Sequence, residues 1–149
     1  MKRPLHVLVV GSGMYVCGKG TDGYGTIMPA VFEWSRTRAL GDVYVAGASL
    51  AGVKTAKLKI AQLEKECGVR IPVKFFPVTN GRDPHCYREA IDAIPRPAAA
   101  IVAVPDHLHR EVAGRAIEGG LHTLVAKPLA PTLKEVRELV ALQRMHGVH

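Results

Sequence analysis

The sequence has few aromatic residues, with three Phe, four Tyr and one Trp in 149 residues. Nucleic-acid-binding sheets interleave aromatic side chains with basic residues, so that bases can stack on them. The net charge is +7, but the basic residues are spread along the whole chain and form no such motif. We therefore expect no nucleic-acid partner. The charge fits either solvated helix faces or a basic pocket for a polyanionic small molecule.

Cysteine is also scarce, and Cys17, Cys67 and Cys86 follow no CxxC spacing. This odd number gives no disulfide framework, so the sequence favours a reducing cytoplasm and no zinc site. Apolar runs are far shorter than the ~20 residues of a membrane span, which predicts no membrane partner. The start resembles a signal peptide, but its apolar run is short and lacks a cleavage site, so it is predicted to be a strand.

Glycine is abundant in one place, the segment GSGMYVCGKGTDGYGT at 11–26, which contains six glycines. Glycine loses the most conformational freedom on folding, so such a cluster needs a reason. The dinucleotide fingerprint GxGxxG starts at Gly11 and Gly13, but Val16 occupies its third position. A complete copy occurs later in the segment, too far from the preceding strand. Residues 16–25 are therefore interpreted as an insertion.

Strand and helix patterns alternate five times. The predicted strands are 5–10, 42–49, 73–78, 97–105 and 121–126. The predicted helices are 26–34, 52–67, 84–94, 107–119 and 132–145. Asp83-Pro84 and Asp106 are predicted to begin helices, and Thr132 with Glu135 forms a capping box. Strict alternation predicts a parallel sheet with helices on both faces. The fold class is therefore α/β, a doubly wound, Rossmann-like single three-layer domain over 1–149.

In such a sheet, ligands bind at the carboxyl ends of the strands, where the strand order reverses. Gly11 permits the turn out of the first strand, and Gly13 removes a side chain so that backbone amides can reach a pyrophosphate. Two later strands end in AVPDHLH (103–109) and LVAKPL (124–129) at the same edge. His107 and His109 also fit exposed loop histidines, since a third metal ligand is not found. Lys127 also fits a surface lysine.

Together, VLVVGSGM…GTIMPAV and AVPDHLHREVAGRAIEGGLHTLVAKPLAPT resemble the Gfo/Idh/MocA oxidoreductases along the whole chain, as their N-terminal Rossmann domain. The resemblance implies that Pro105 and His109 lie on the cofactor-facing strand end and Lys127 near the reacting carbon. Three features depart from the family pattern: Asp106 replaces Asn, Ala126 replaces Glu, and the phosphate loop is longer. The family's C-terminal α/β substrate domain, through which members mainly oligomerise, is expected to be missing.

The resemblance implies hydride transfer between a nicotinamide cofactor and a sugar- or cyclitol-like alcohol in a full-length parent, with this fragment alone inactive. Lys127 is the expected catalytic residue and no metal is expected. The expected cofactor-binding residues are Gly11, Ser12, Gly13, Met14, Tyr15, Ser49, Lys54, Ala103, Val104, Pro105, Asp106, His109 and Lys127. The alternative is a dinucleotide-binding sensor or scaffold without chemistry, favoured by the loss of the glutamate.

The residues after the second strand bear on cofactor choice. NAD-dependent Rossmann domains usually carry an acid there that binds the ribose hydroxyls. Alignment of DVYVAGAS places Ser49 at that position, and no acid follows until Glu64. A serine can donate to a 2′-phosphate, and Lys54 could reach it. The sequence therefore predicts NADP(H) over NAD(H), unless the lysines are only the solvated face of a helix.

Overall fold

A five-stranded parallel sheet forms the centre of the computed structural model, which describes residues 3–79 and 81–149. The strands are β1 (Leu5–Val10), β2 (Leu40–Ala46), β3 (Val73–Phe76), β4 (Ala98–Val102) and β5 (His122–Val125). Their spatial order is β3-β2-β1-β4-β5, and every neighbouring pair is parallel. The order reverses between β1 and β4, which confirms the predicted doubly wound, Rossmann-like α/β fold.

Helices cover both faces of this sheet. They are α1 (Met14–Cys17), α2 (Ile27–Thr37), α3 (Leu50–Cys67), α4 (Tyr87–Ala93), α5 (His109–Glu118) and α6 (Leu133–His146). Side chains alternate between faces along a strand, so Val9 packs with α2 and α3 while Leu8 packs with α4 and α5. The result is three layers with a core on each side of β1.

The structure confirms three predictions made from short sequence motifs. Thr132 and Glu135 form both hydrogen bonds of the capping box at the start of α6. Gly68, in the left-handed conformation, ends α3. β3, which is followed by Pro77, lies at the sheet edge as predicted. Within residues 3–79 and 81–149, no helix has the length and apolarity needed to span a bilayer.

Two predicted helix starts are wrong. Asp83 does not cap α4, because its carboxylate accepts a hydrogen bond from the His85 N–H in a turn before the helix, which begins at Tyr87. Asp106 does not cap α5 either. The chain first makes a 3-10 turn over Asp106–Leu108, and Asp106 has no capping hydrogen bond. In both places a short turn lies between the acid and the helix.

The glycine-rich segment divides into two parts. Gly11–Gly13 leaves the strand, and α1 follows. The remainder forms a loop that Lys59 of α3 ties down, its Nζ donating to the carbonyls of Thr21 (2.6 Å) and Gly23 (3.0 Å). The later glycines therefore belong to a loop that is bonded to α3, and only the first part lies at the strand ends.

Candidate functional site

The carboxyl ends of β1, β2, β4 and β5 are joined by backbone hydrogen bonds just beyond the strands. The Gly11 N–H donates to the Ala46 carbonyl (2.8 Å), and the Ala103 N–H donates to the Val10 carbonyl (2.9 Å). The Ala126 N–H donates to the Val102 carbonyl (2.9 Å). These bonds hold the segments that follow the four strands at one edge of the sheet.

A groove of about 370 Å³ lies at this edge, over the point where the strand order reverses. Three segments after strands line it, together with the chain that leads into α4 and the first part of α5. The lining residues are Val10–Gly13, Ala46–Ala48, Arg82, Pro84, Cys86, Tyr87, Ala103–Pro105, His107, Leu108 and Val112. Ligands of doubly wound sheets bind at this position.

Two glycines of this edge have different physical roles. Gly11 has a φ of +129°, and a Cβ there would lie 2.3 Å from the Ala103 carbonyl oxygen, so only glycine allows β1 and β4 to end this close together. A Cβ on Gly13 would have no heavy atom within 4 Å. The fold itself therefore needs Gly11, while the space at Gly13 is open for a ligand.

Alanine at Gly11 is expected to lower the free energy of unfolding by about 3 kcal/mol, because it combines a strained backbone with a clash against a carbonyl. Urea unfolding followed by circular dichroism measures the change. Gly13→Ala is the matched control and should remain within about 0.5 kcal/mol of wild type. Equal losses in both variants would contradict the distinct roles of the two glycines.

β2 ends earlier than predicted. Its last residue is Ala46, and Gly47 follows, so Ser49 does not occupy the strand end. Ser49 is the N-cap of α3, and its hydroxyl accepts from the Gly52 N–H at 3.2 Å. A Cβ at Gly47 would lie 2.8 Å from Ser12 Oγ and 3.0 Å from a methyl of Val53. A side chain at Gly47 would therefore have to displace Ser12 or press against Val53.

The loop before α4 lies against the residues that follow β2. Leu50 N–H donates to the Gly81 carbonyl (3.0 Å), Asp83 N–H donates to the Ala48 carbonyl (3.1 Å), and Ser49 forms an antiparallel bridge with Arg82. Arg82 therefore lines the groove beside Gly47 and Ala48. Among the residues that the structure describes, its side chain makes no ion pair, and the groove lining contains no carboxylate.

Cys86 and Tyr87 form an apolar wall of the groove. Burial raises the pKa of Cys86 to about 11, helped by the negative charges of Asp83 and Glu89, and its Sγ donates to the Gly47 carbonyl. The thiol is therefore neutral near pH 7 and holds the end of β2 rather than acting as a nucleophile. Behind it, the Tyr87 hydroxyl donates to Glu111 at 2.8 Å.

The predicted site residues divide by position. Gly11, Ser12, Gly13, Ala103, Val104 and Pro105 line the groove. Met14, Tyr15, Lys54, Asp106 and Lys127 are exposed and outside its lining, and Ser49 is also outside it. Lys127 nevertheless lies two residues after the end of β5, at the same edge of the sheet. No group of His, Cys, Asp and Glu suited to a metal ion occurs in the described part of the chain.

His109 was predicted to lie on the cofactor-facing strand end, but its side chain is not part of the groove lining. Its side chain is 0% exposed, with Nδ1 2.6 Å from the Pro128 carbonyl oxygen and Nε2 2.9 Å from the Val104 carbonyl oxygen. The prediction fails because His109 is the first residue of α5, and its side chain is buried where this helix packs on the sheet. A ligand in the groove therefore cannot reach its ring.

Sequence reasoning missed Arg82, Tyr87 and Gly47 as groove residues. Arg82 reaches the groove through tertiary pairing with Ser49, which no local pattern reveals. One signal was available: the loop after β3 must end at the same edge as the loops after β1 and β2. Gly47 could have been found by ending β2 after Val45 and Ala46, since the next residue is then the first one beyond the strand.

The doubly wound parallel sheet, with a glycine loop and a groove at the point of strand reversal, defines a Rossmann-type nucleotide-binding domain. Residues 43–149 match the family model of the Gfo/Idh/MocA oxidoreductases, described as an oxidoreductase family with an NAD-binding Rossmann fold. The chain belongs to this family, as its sequence indicated.

Solved structures share the fold across nearly the whole chain. An NAD-binding oxidoreductase from Klebsiella pneumoniae matches 98% of this chain with 19% identity and a TM-score of 0.64, covering 33% of that protein. An aldose-aldose oxidoreductase from Caulobacter crescentus complexed with glycerol matches 98% with 21% identity and a TM-score of 0.64, covering 36%. The chain thus spans about a third of the length of these proteins.

Two further comparisons concern the cofactor and the substrate. Biliverdin reductase from Synechocystis, solved with biliverdin and NADP+, matches 98% of this chain at 23% identity and a TM-score of 0.63, covering 36% of that protein. A 1,5-anhydro-D-fructose reductase from Ensifer adhaerens is 46% identical over 50 residues, which are 34% of this chain and 15% of that protein.

Proposed function

We propose that this chain is the NADP(H)-binding part of an oxidoreductase that transfers hydride between the nicotinamide ring and an alcohol carbon of a sugar- or cyclitol-like substrate. The observation that carries the proposal is the open space at Gly13, in a groove at the reversal point of the sheet. The sugar-converting relatives support the substrate class.

The residues of the groove fit a dinucleotide. Gly13 leaves its backbone unshielded, and Gly47 adds no side chain at the end of β2. The apolar lining from Val104, Pro105 and Leu108 suits an aromatic ring, and the absence of carboxylates suits phosphates. α1 is only one turn long, so backbone N–H groups rather than a helix dipole would meet the pyrophosphate.

The bound nicotinamide supplies or accepts the hydride. This chain's own part in the reaction is assigned to Lys127, whose ammonium group can donate a hydrogen bond to the substrate oxygen and polarise it. The Ala126 N–H bond to the Val102 carbonyl fixes the chain immediately before this lysine. The substrate-binding walls would come from outside these residues, so the chain alone should hold no alcohol in a reactive geometry.

Two features support NADP(H) over NAD(H). No carboxylate follows β2 to bind ribose hydroxyls or to repel a 2′-phosphate, because Gly47, Ala48 and Ser49 stand there. Arg82 carries a full positive charge, and the described groove lining contains no other Arg and no Lys, Asp or Glu. It lines the groove together with Ala48. A guanidinium is well suited to a phosphate. Arg82 therefore replaces Lys54 as the main candidate for binding the 2′-phosphate.

Alanine at Arg82 should raise the Kd for NADP(H) roughly 10- to 100-fold, the size of a lost charged hydrogen bond. The Kd for NAD(H) should change less than about twofold, because NAD(H) lacks the 2′-phosphate. Equilibrium titration of both cofactors measures the two values. Arg144→Ala, on the exposed surface of α6, is the control with the same charge change.

A second variant tests the same subsite by adding charge. Ser49→Asp keeps a good N-cap for α3, since aspartate caps helices as well as serine does. It should weaken NADP(H) far more than NAD(H). Tighter binding of NAD(H) by the unmodified protein, or equal losses for both cofactors in Arg82→Ala, would refute the preference and leave the dinucleotide site itself standing.

A further inference from the structure

His109 is the fully buried polar side chain of the described core, and the proposed function gives it no role. It is the first residue of α5 and has 0% exposure. Each ring nitrogen lies within hydrogen-bond distance of a backbone carbonyl oxygen, Pro128 on one side and Val104 on the other. The ring thus connects the segments that follow β4 and β5.

These two contacts fix the protons on the ring. A carbonyl oxygen only accepts, so both Nδ1 and Nε2 must carry hydrogen to bond at 2.6 and 2.9 Å. Neutral imidazole has a single N–H, and it would point a nitrogen lone pair at one of the oxygens. Only the imidazolium donates on both sides, and charged donors form short bonds.

The Pro128 carbonyl matters because of its position in the chain. Proline has no N–H, so this carbonyl is its one backbone hydrogen-bonding group. Lys127 lies between two fixed points, the Ala126 N–H bonded to Val102 and the Pro128 carbonyl bonded to His109. The other carbonyl belongs to Val104, which lines the groove.

We propose that His109 is a positioning residue that, as a buried imidazolium, holds the backbone of Lys127 in register with the groove segment at Val104. The importance of this alignment for hydride transfer rests on the proposed function. The protonation and the clamp themselves do not. A buried cation is costly, and in this site both of its N–H groups have a carbonyl acceptor.

Nitrogen-15 NMR of the histidine rings in the wild-type chain tests the protonation. The chain has seven histidines, and the signals that disappear in His109→Gln belong to His109. We expect two slowly exchanging N–H protons on one ring, each with its own one-bond coupling. A single N–H on that ring overturns the imidazolium. If His109→Gln does not fold, the His109 ring is identified instead by replacing the six other histidines with Gln one at a time.

The clamp is tested at Lys127. Reductive methylation with carbon-13 formaldehyde labels the lysine amines, and Lys127→Ala identifies the Lys127 signal. In His109→Gln, which keeps one donor, that signal should shift and broaden. His146→Gln, an exposed position on α6, should leave it unchanged. An unchanged Lys127 signal in folded His109→Gln overturns the positioning role.

A titration with NADP(H) separates this proposal from the proposed function. If the wild-type chain binds no cofactor but shows both NMR results, the function is wrong and the clamp is right. If it binds cofactor but fails both NMR tests, the clamp is wrong and the cofactor site of the proposed function stands.

Discussion

Valine in place of Gly13 should abolish NADP(H) binding, with a Kd at least about 100-fold higher, and leave the fold intact. A Cβ at this position meets no protein atom within 4 Å, so we expect the methyl groups of valine to project into the open space assigned to the pyrophosphate. Overlap of this kind costs about 3 kcal/mol, or roughly 100-fold in Kd. The free energy of unfolding should fall by less than about 1 kcal/mol.

The control for this variant is Gly23→Val, in the loop that Lys59 ties to α3. Gly23 does not need a left-handed backbone, and a Cβ there would approach only Thr21 Oγ1, at 3.8 Å. It lies outside the groove lining, so its Kd should match that of the wild type. If Gly13→Val bound NADP(H) as tightly as the wild type, the placement of the phosphate loop would be wrong.

Alanine at Lys127 should lower turnover by about 10²- to 10⁴-fold, the usual range for losing a positioned acid-base group. The measurement needs a protein that joins this chain to a substrate-binding domain, since the chain spans about a third of the length of its structural relatives. The cofactor Kd should change less than about threefold, because Lys127 lies beyond the groove lining.

Lys134→Ala, exposed in the first turn of α6, is the control for Lys127 and should keep full turnover. The changes in turnover and in cofactor Kd together decide the role of Lys127. A large rise in cofactor Kd with unchanged turnover would make it a binding residue only. Unchanged values for both would show that Lys127 has no part in the reaction. An unmodified joined protein that binds cofactor without turnover would favour a dinucleotide-binding module without chemistry, the alternative that Ala126 in place of the family's glutamate supports.

The fold could be predicted from the sequence where the signal is local. The capping box at Thr132 needs only four consecutive residues, and the apolar run of β1 already indicates a strand buried on both faces. Predictions failed where a tertiary contact decides. The segment DVYVAGAS reads as strand to Ser49, but the loop at 81–86 binds the backbone after Ala46, and Ser49 turns to cap α3.

The site shows the same division. Gly11 follows a buried strand, and its role could be inferred from that position alone. Arg82 could not, because its place beside Ala48 depends on a bridge between segments that are distant in sequence. His109 was misplaced for a related reason: the pattern PDHLH says that a histidine lies near the strand end, but helix packing decides whether its ring faces the groove or the core.

Binding of a dinucleotide at the reversal point of the sheet is the central claim. Its most direct test is the titration of NADP+ into the nitrogen-15-labelled chain, followed by amide chemical shifts. We predict saturable shifts at residues 11–13, 47–48 and 103–105, which line the groove. No shifts at any concentration, or shifts confined to the basic depression between α3 and β3 at Lys57, Arg70 and Lys74, would contradict it.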